Sequence, residues 1–278
     1  MTDWLQILRG DAPLIVALPH TGTEIPTDIA RTLRDPWLAQ KDTDWHVEKL
    51  YQSAANLGVT IVRTTVSRSV IDVNRDPSGA SLYPGQATTD LCPLTSFDGE
   101  PLYRRGEEPN SAEITRRRET YFEPYHRAME QEIGLLKQRH GSIVLYDAHA
   151  IRSVIPRLFD GVLPDLNLGT DNGRTCDCQL QKALEIICSR SEFSMVSNGR
   201  FRGGWTTRHY GAPASGIHAV QMELACRSFL DEPTDVLVPG NWPPPFNRQR
   251  AARLIPLLEE LLKAAIAFAR SKKGTVSA

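Results

Sequence analysis

Residues 13–26 read PLIVALPHTGTEIP. Leu14 to Leu18 form an apolar run without polar alternation, which predicts a strand covered on both faces. The run empties directly into Pro19, His20, Thr21 and Gly22. Proline stiffens the strand end and glycine lets the chain turn away, so His20 arrives at the end of a core strand with little freedom. Four more runs rich in Val, Ile and Leu predict strands: Val59–Thr64, Ile143–Tyr146, Phe193–Val196 and Ala219–Leu224.

Helical spacing lies between them. Thr43 to Leu57 carries Val47, Leu50, Tyr51 and Ala54 on one side and stops at Gly58. Ser111 to Arg139 predicts a long helix kinked or broken at Pro124. Cys176–Cys188 and Arg248–Ala269 predict two more. Helices alternating with buried strands imply an α/β fold, a three-layer sandwich with a mixed, mostly parallel central sheet. The 278 residues are read as a single domain, 1–278, with long irregular loops at about 76–110 and 161–177. Loops of that length in a compact chain commonly cover a site. The tail Ser271–Ala278 reads as frayed.

Composition narrows the function. With 32 Lys and Arg against 33 Asp and Glu, no global field favours nucleic acid. The cluster Arg116-Arg117-Arg118 reads as a solvated helix face. No apolar span is long enough to cross a bilayer, and MTDWLQILRGDAP does not read as a secretory signal. Five cysteines, an odd count, suggest reduced thiols and a cytoplasmic protein. Cys176 and Cys178 lack two further soft ligands nearby, apart from Cys188, for a zinc site of their own.

Ligands of open α/β sheets collect at the carboxyl ends of strands. There the first strand delivers His20, and SIVLYDAHA delivers Asp147 and His149. The segment KDTDWHVEKL adds Asp42, Asp44 and His46 at a helix start. Two histidines and a carboxylate, with one position left for water, is the composition of a catalytic zinc site. Asp147 suits a supporting role behind a ligand, or caps the turn before His149. Plainer readings stand beside this one: hydrogen-bonded histidines, and Asp44 as a helix N-terminal charge. Glu223 interrupts the apolar run HAVQMELAC. A desolvated carboxylate has a raised pKa and suits a general base; on an edge strand it would simply face water. Arg68, Asp72, Asn74 and Arg75 follow a strand in VSRSVIDVNRDPSG. Arg200, Arg202, Arg208 and His209 surround Gly203-Gly204, where backbone can approach a ligand closely. Guanidinium forks match carboxylates, so a small substrate with more than one carboxylate is expected.

LPHTGTEIP, DTDWHVEKLY, SRSVIDVNRDP, LYDAHAI, GRFRGGWTTRHYG and HAVQMELACRSFLDE occur in that order. On these motifs the chain resembles the N-formylglutamate amidohydrolase (deformylase) family from about residue 12 to about residue 265. That family is similar in fold and site to zinc carboxypeptidases and zinc-dependent muramoyl-alanine amidases. The resemblance implies that His20, Asp44 and His149 hold zinc and that Glu223 activates water. It implies that Asn74 and Arg75 hold one substrate carboxylate, while Arg68 and Arg208 serve the other or the developing oxyanion. Trp205 stands where another aromatic such as tyrosine is expected. The implied reaction is hydrolysis of N-formyl-L-glutamate to L-glutamate and formate, in histidine degradation. Another divalent transition metal can fill the same ligands. Two rivals are a hydrolase of a different N-acyl amino acid or peptide, and a non-catalytic metal or small-molecule binding protein. A base beside a full ligand set argues against the second.

Overall fold

The computed structural model describes residues 4–81, 85 and 88–272. Its strands are β1 (Leu5–Leu8), β2 (Leu14–Leu18), β3 (Thr60–Thr64), β4 (Ile143–Ile151), β5 (Leu166–Gly169), β6 (Met195–Ser197) and β7 (Ile217–Ala225). They form one sheet in the order β1-β3-β2-β4-β7-β5-β6. The central strands β3, β2, β4 and β7 run parallel. β1 is antiparallel to β3, β5 is antiparallel to β7, and β6 is parallel to β5. The helices are α1 (Thr27–Ala30), α2 (Pro36–Gln40), α3 (Val47–Leu50), α4 (Ser111–Arg117), α5 (Glu123–His140), α6 (Cys178–Arg190), α7 (Trp205–Tyr210) and α8 (Arg248–Ser271). None is long and apolar enough to cross a membrane among the described residues.

The alternation of strand side chains sorts the core into two layers. Val16, Val144, Tyr146, Ala148, Val220 and Met222 pack with residues of α3, α6 and α8. On the opposite face, Ile15, Ala17, Ile143, Leu145 and Ala219 pack with Tyr125, Met129, Ile133 and Leu136 of α5. Each large apolar side chain so buried contributes roughly 1.5–3 kcal/mol relative to exposure. These layers hold the central strands rigid, and rigidity is what a site on their ends needs.

Several expectations are corrected. β4 does not stop at Tyr146 but carries Asp147 and His149 inside it, because β7 pairs with it from Ile143 to Ile151. The Thr43–Leu57 segment is α3 followed by a 3-10 turn over Gln52–Leu57, ending on Gly58 at φ 69°. Arg118–Phe122 form a wide π-type turn between α4 and α5. Pro124 therefore falls in the first turn of α5, where its missing N–H is not needed. The 161–177 segment is not all loop, since β5 lies within it. Both β1 and β5 are short, and β5 has the polar Asn167 in its middle. Arg117 is not solvated: its Nε donates to Glu113 at 2.7 Å, and its Nη1 donates to the Tyr103 hydroxyl at 2.8 Å and the Val70 carbonyl at 3.1 Å. The 76–110 segment is pinned in part by these bonds and by Asp98, which pairs with Lys41 at 2.6 Å and Arg152 at 2.9 Å. Residues 82–84, 86 and 87 of that segment, and 273–278 of the tail, lie outside the described residues.

His126 ties α5 to the loop and helix that cover the sheet end. Nε2 lies 2.8 Å from the Val73 carbonyl, which can only accept, so Nε2 carries the proton. Nδ1 then accepts from the Tyr210 hydroxyl at 2.9 Å. Burial pushes this imidazole down to about 3 from an ordinary 6.5. Unfolding therefore takes up a proton between those values, and stability is lost as pH falls from 6.5 towards 3. The slope from this group approaches ~1.4 kcal/mol per pH unit. Denaturant titrations of wild type and H126Q between pH 7 and 5 should show a shallower dependence in the variant. Equal slopes would mean that His126 is not held neutral.

Candidate active site

The strands that build the core also build the site. On the α5 side, β4 presents Ile143 and Leu145 and then Asp147 and His149, while β7 presents Ala219 and then Gln221 and Glu223. Register places Asp147 opposite Gln221 and His149 opposite Glu223. Neighbouring strands are about 4.8 Å apart, so each pair stands side by side on one face. The face changes from apolar to polar where α7 and the loops take over from α5 as its cover.

His20 follows the end of β2, and its carbonyl accepts from the Asp44 N–H at 3.0 Å, joining two loops at the backbone. The three side chains His20, Asp44 and His149 then converge. The two Nδ1 atoms are 3.1 Å apart. Asp44 Oδ2 lies 3.1 Å from His149 Nδ1 and 3.7 Å from His20 Nδ1. All three residues are 3% exposed or less. Their ligating atoms lie within 4.8 Å of one another, the one such group found among the described residues.

The far side of each ring decides what that convergence means. His20 Nε2 is 2.7 Å from Asp72 Oδ1. A carboxylate accepts only, so Nε2 carries the proton and Nδ1 presents a lone pair. His149 Nε2 lies 3.0 Å from Asp147 Oδ1, with which it pairs, and 2.9 Å from the Asn74 amide nitrogen. Two Nδ1 atoms and a carboxylate oxygen thus face one point, which suits a cation once the proton that His149 shares there with Asp44 leaves. The charges agree. Burial works against ionised Asp44, yet His149 and His20 hold it below the usual carboxylate range. Burial likewise works against a charged His149, yet Asp147 and Asp44 raise its pKa well above the ordinary value. Donor set and charge together fit a divalent metal ion.

Glu223 is buried, and burial pushes its carboxyl up to about 8, with the His149 charge opposing and Asp44 adding. Its Oε2 accepts from Gln221 Nε2 at 3.0 Å. Glu223, His20, His149, Arg68, Asn74 and Arg75 line one cavity of about 60 Å³. Phe97, Ile151, Leu158 and Phe201 supply its apolar wall. Arg68 donates to Asp72 at 2.7 Å, lies 3.5 Å from Asp44 and stacks over the Phe97 ring at 4.8 Å. Arg75 reaches the carbonyl and hydroxyl of Thr89 at 3.1 and 3.2 Å.

Two placements differ from expectation. Arg208 does not line this cavity; its Nε donates to the Gly203 carbonyl at 2.9 Å, because the turn of α7 carries it away. Arg200 lines the cavity instead. Asn74 does line it, but its amide donates to Asp147 Oδ2 at 3.1 Å and accepts from the Thr206 N–H at 2.8 Å. Asn74 thus braces the carboxylate behind His149. The glycine pair serves the protein's own packing: a Cβ on Gly204 would come within 2.6 Å of the Asn74 amide. Asp72, Gln221 and Thr207, which donates to Asp147 at 3.2 Å, had no role assigned from the sequence. For Gln221 the signal was available, as a second polar residue two positions before Glu223 in an apolar strand.

The fold and site define an α/β protein whose sheet carries a buried His, Asp, His group able to hold a metal ion. The chain belongs to the N-formylglutamate amidohydrolase family, whose model matches residues 12–230. It is 41% identical over 273 residues to N-formylglutamate deformylase of Pseudomonas aeruginosa, covering 98% of this chain and 99% of that one. It is 44% identical over 233 residues to N-formylglutamate deformylase of Pseudomonas putida, covering 84% and 87%. The crystal structure of N-formylglutamate amidohydrolase from Ralstonia eutropha JMP134 shares the fold, with a TM-score of 0.73 at 23% identity over 96% of this chain and 97% of that one.

Close packing at Gly204 gives a direct check. G204A should displace Asn74, lower stability by about 1–3 kcal/mol and reduce metal affinity. A variant with wild-type melting temperature and metal content would show that the contact is slack.

Proposed function

We propose that the protein hydrolyses N-formyl-L-glutamate to L-glutamate and formate. The observation that carries this reading is the register of His149 with Glu223, which sets a desolvated carboxylate beside the His20, Asp44, His149 group in a cavity lined by arginines. Membership of the family and the names of the two Pseudomonas relatives supply the substrate.

His20, Asp44 and His149 would hold the ion, and zinc suits two nitrogens and one oxygen. Such an ion, when bound, lowers the pKa of water and polarises a carbonyl. Glu223 takes a proton from the attacking water as the oxygen–carbon bond forms at the formyl carbon. It then passes that proton to the amide nitrogen as the carbon–nitrogen bond breaks. The products are formate and the free amino group of glutamate. Arg68 stabilises negative charge developing on the formyl oxygen, a role supported by its hydrogen bond to Asp72 and its stacking on Phe97 beside the cavity. Arg75 receives a substrate carboxylate, and Asn74 keeps Asp147 and His149 in place for it. The five cysteines are not disulfide-bonded, which supports a reducing compartment such as the cytoplasm.

Glutamate release should vanish on chelation and return with zinc. E223Q should lower kcat by about 10²–10⁴-fold while metal stoichiometry stays at the wild-type value. Full turnover by E223Q would remove the base assignment, and a zinc-loaded protein inert on N-formyl-L-glutamate would remove the substrate. D72N leaves the ligand atoms in place but weakens the bond that orients His20. A competition titration should show metal affinity reduced about 10–100-fold.

A further inference from the structure

Gln221 sits on β7 two residues before Glu223, on the same face and 4% exposed. Its amide has two partners. Nε2 donates to Glu223 Oε2 at 3.0 Å, and Oε1 accepts the N–H of Gly204 at 2.6 Å. Among the described residues, the Gln221 bond is the one hydrogen bond to the Glu223 carboxylate. At its other end, Glu223 is held through its backbone carbonyl, which accepts from Asn167 Nδ2 at 3.1 Å.

Gly204 opens α7, and its bare Cα packs on Asn74. Asn74 in turn braces Asp147 behind His149. The start of α7 is therefore tied in two directions: to a ligand histidine through Asn74 and Asp147, and to the Glu223 carboxylate through Gln221. One helix start thereby sets the spacing between the His149 ring and the Glu223 carboxylate.

We infer that Gln221 is a positioning residue for the proton transfer, resting on the reading of Glu223 as the base. Its N–H engages Oε2 and holds the carboxylate in one rotamer. Oε1 is left as the oxygen that takes the proton from water and returns it to the leaving nitrogen. A purely structural Gln221 would only satisfy the Gly204 N–H.

Steady-state kinetics on zinc-loaded Q221M, E223Q and the double variant separates these roles. Methionine keeps the volume and removes both hydrogen bonds. The expected result is a loss in kcat of about 10²-fold with KM within about twofold of wild type and unchanged zinc content. In the E223Q background, Q221M should cause no further loss, because the group it positions is gone. If Q221M does not fold, Q221N replaces it, since its amide is one methylene too short for both partners; the same non-additive pattern is expected. A lowered melting temperature with wild-type kcat, or equal losses in both backgrounds, would overturn the positioning role. Those results differ from failure of the base reading, which would appear as full turnover in E223Q alone.

Discussion

Two imidazole nitrogens facing each other across 3.1 Å, with a carboxylate oxygen beside them, make an arrangement that a folded chain does not adopt for packing alone. Without a proton or a cation between them the three groups would repel, and the site is too buried for water to screen them. The arrangement persists because each ring is gripped from behind, His20 by Asp72 and His149 by Asp147. Those carboxylates are held in turn: Asp72 by Arg68, and Asp147 by Asn74 and Thr207. Most of the polar structure around the sheet end follows from holding these two rings in place.

The cost is local and large. Asp44, Asp72, Asp147 and Glu223 are all buried within one small region, with Arg68 buried and Arg75 partly exposed as the nearby cations. Burying unpaired carboxylates is expensive, so the cluster calls for positive charge. The remainder of the fold offsets this through two extensive apolar layers on either side of the central strands. Stability and function are thereby divided along the same strands, with apolar residues at one end and ionisable ones at the other.

The sequence made much of this legible, for physical reasons that differ by residue. Leu14–Leu18 and the four other runs located five of the seven strands, because buried strands need continuous apolar stretches. β1 and β5 escaped because Gln6 and Asn167 interrupt their apolar runs. His20 and His149 could be paired because strand ends meet at one rim, whereas Asp44 was singled out from Asp42 and His46 only by the family resemblance. Asp72 gave no such signal, since its partner His20 lies 52 residues away and only the fold joins them. Arg208 and Arg200 occupy the same basic motif, and which one reaches the cavity depends on where α7 begins. The solvated reading of Arg117 failed because burial by a distant tyrosine cannot be seen in a run of three arginines.

The pairing of β4 with β7 runs unbroken for nine residues, with no bulge to absorb a change of length. Because side chains alternate, inserting or deleting one residue between Leu145 and Asp147 would exchange the two faces beyond that point. Ala148 and Ala150 would turn towards the cavity, and Asp147 and His149 would turn into the apolar layer under α8. The strand therefore behaves as a ruler with two edges. Its side chains can be substituted one at a time, but its length between core and site cannot be altered without turning the molecule's chemistry inward.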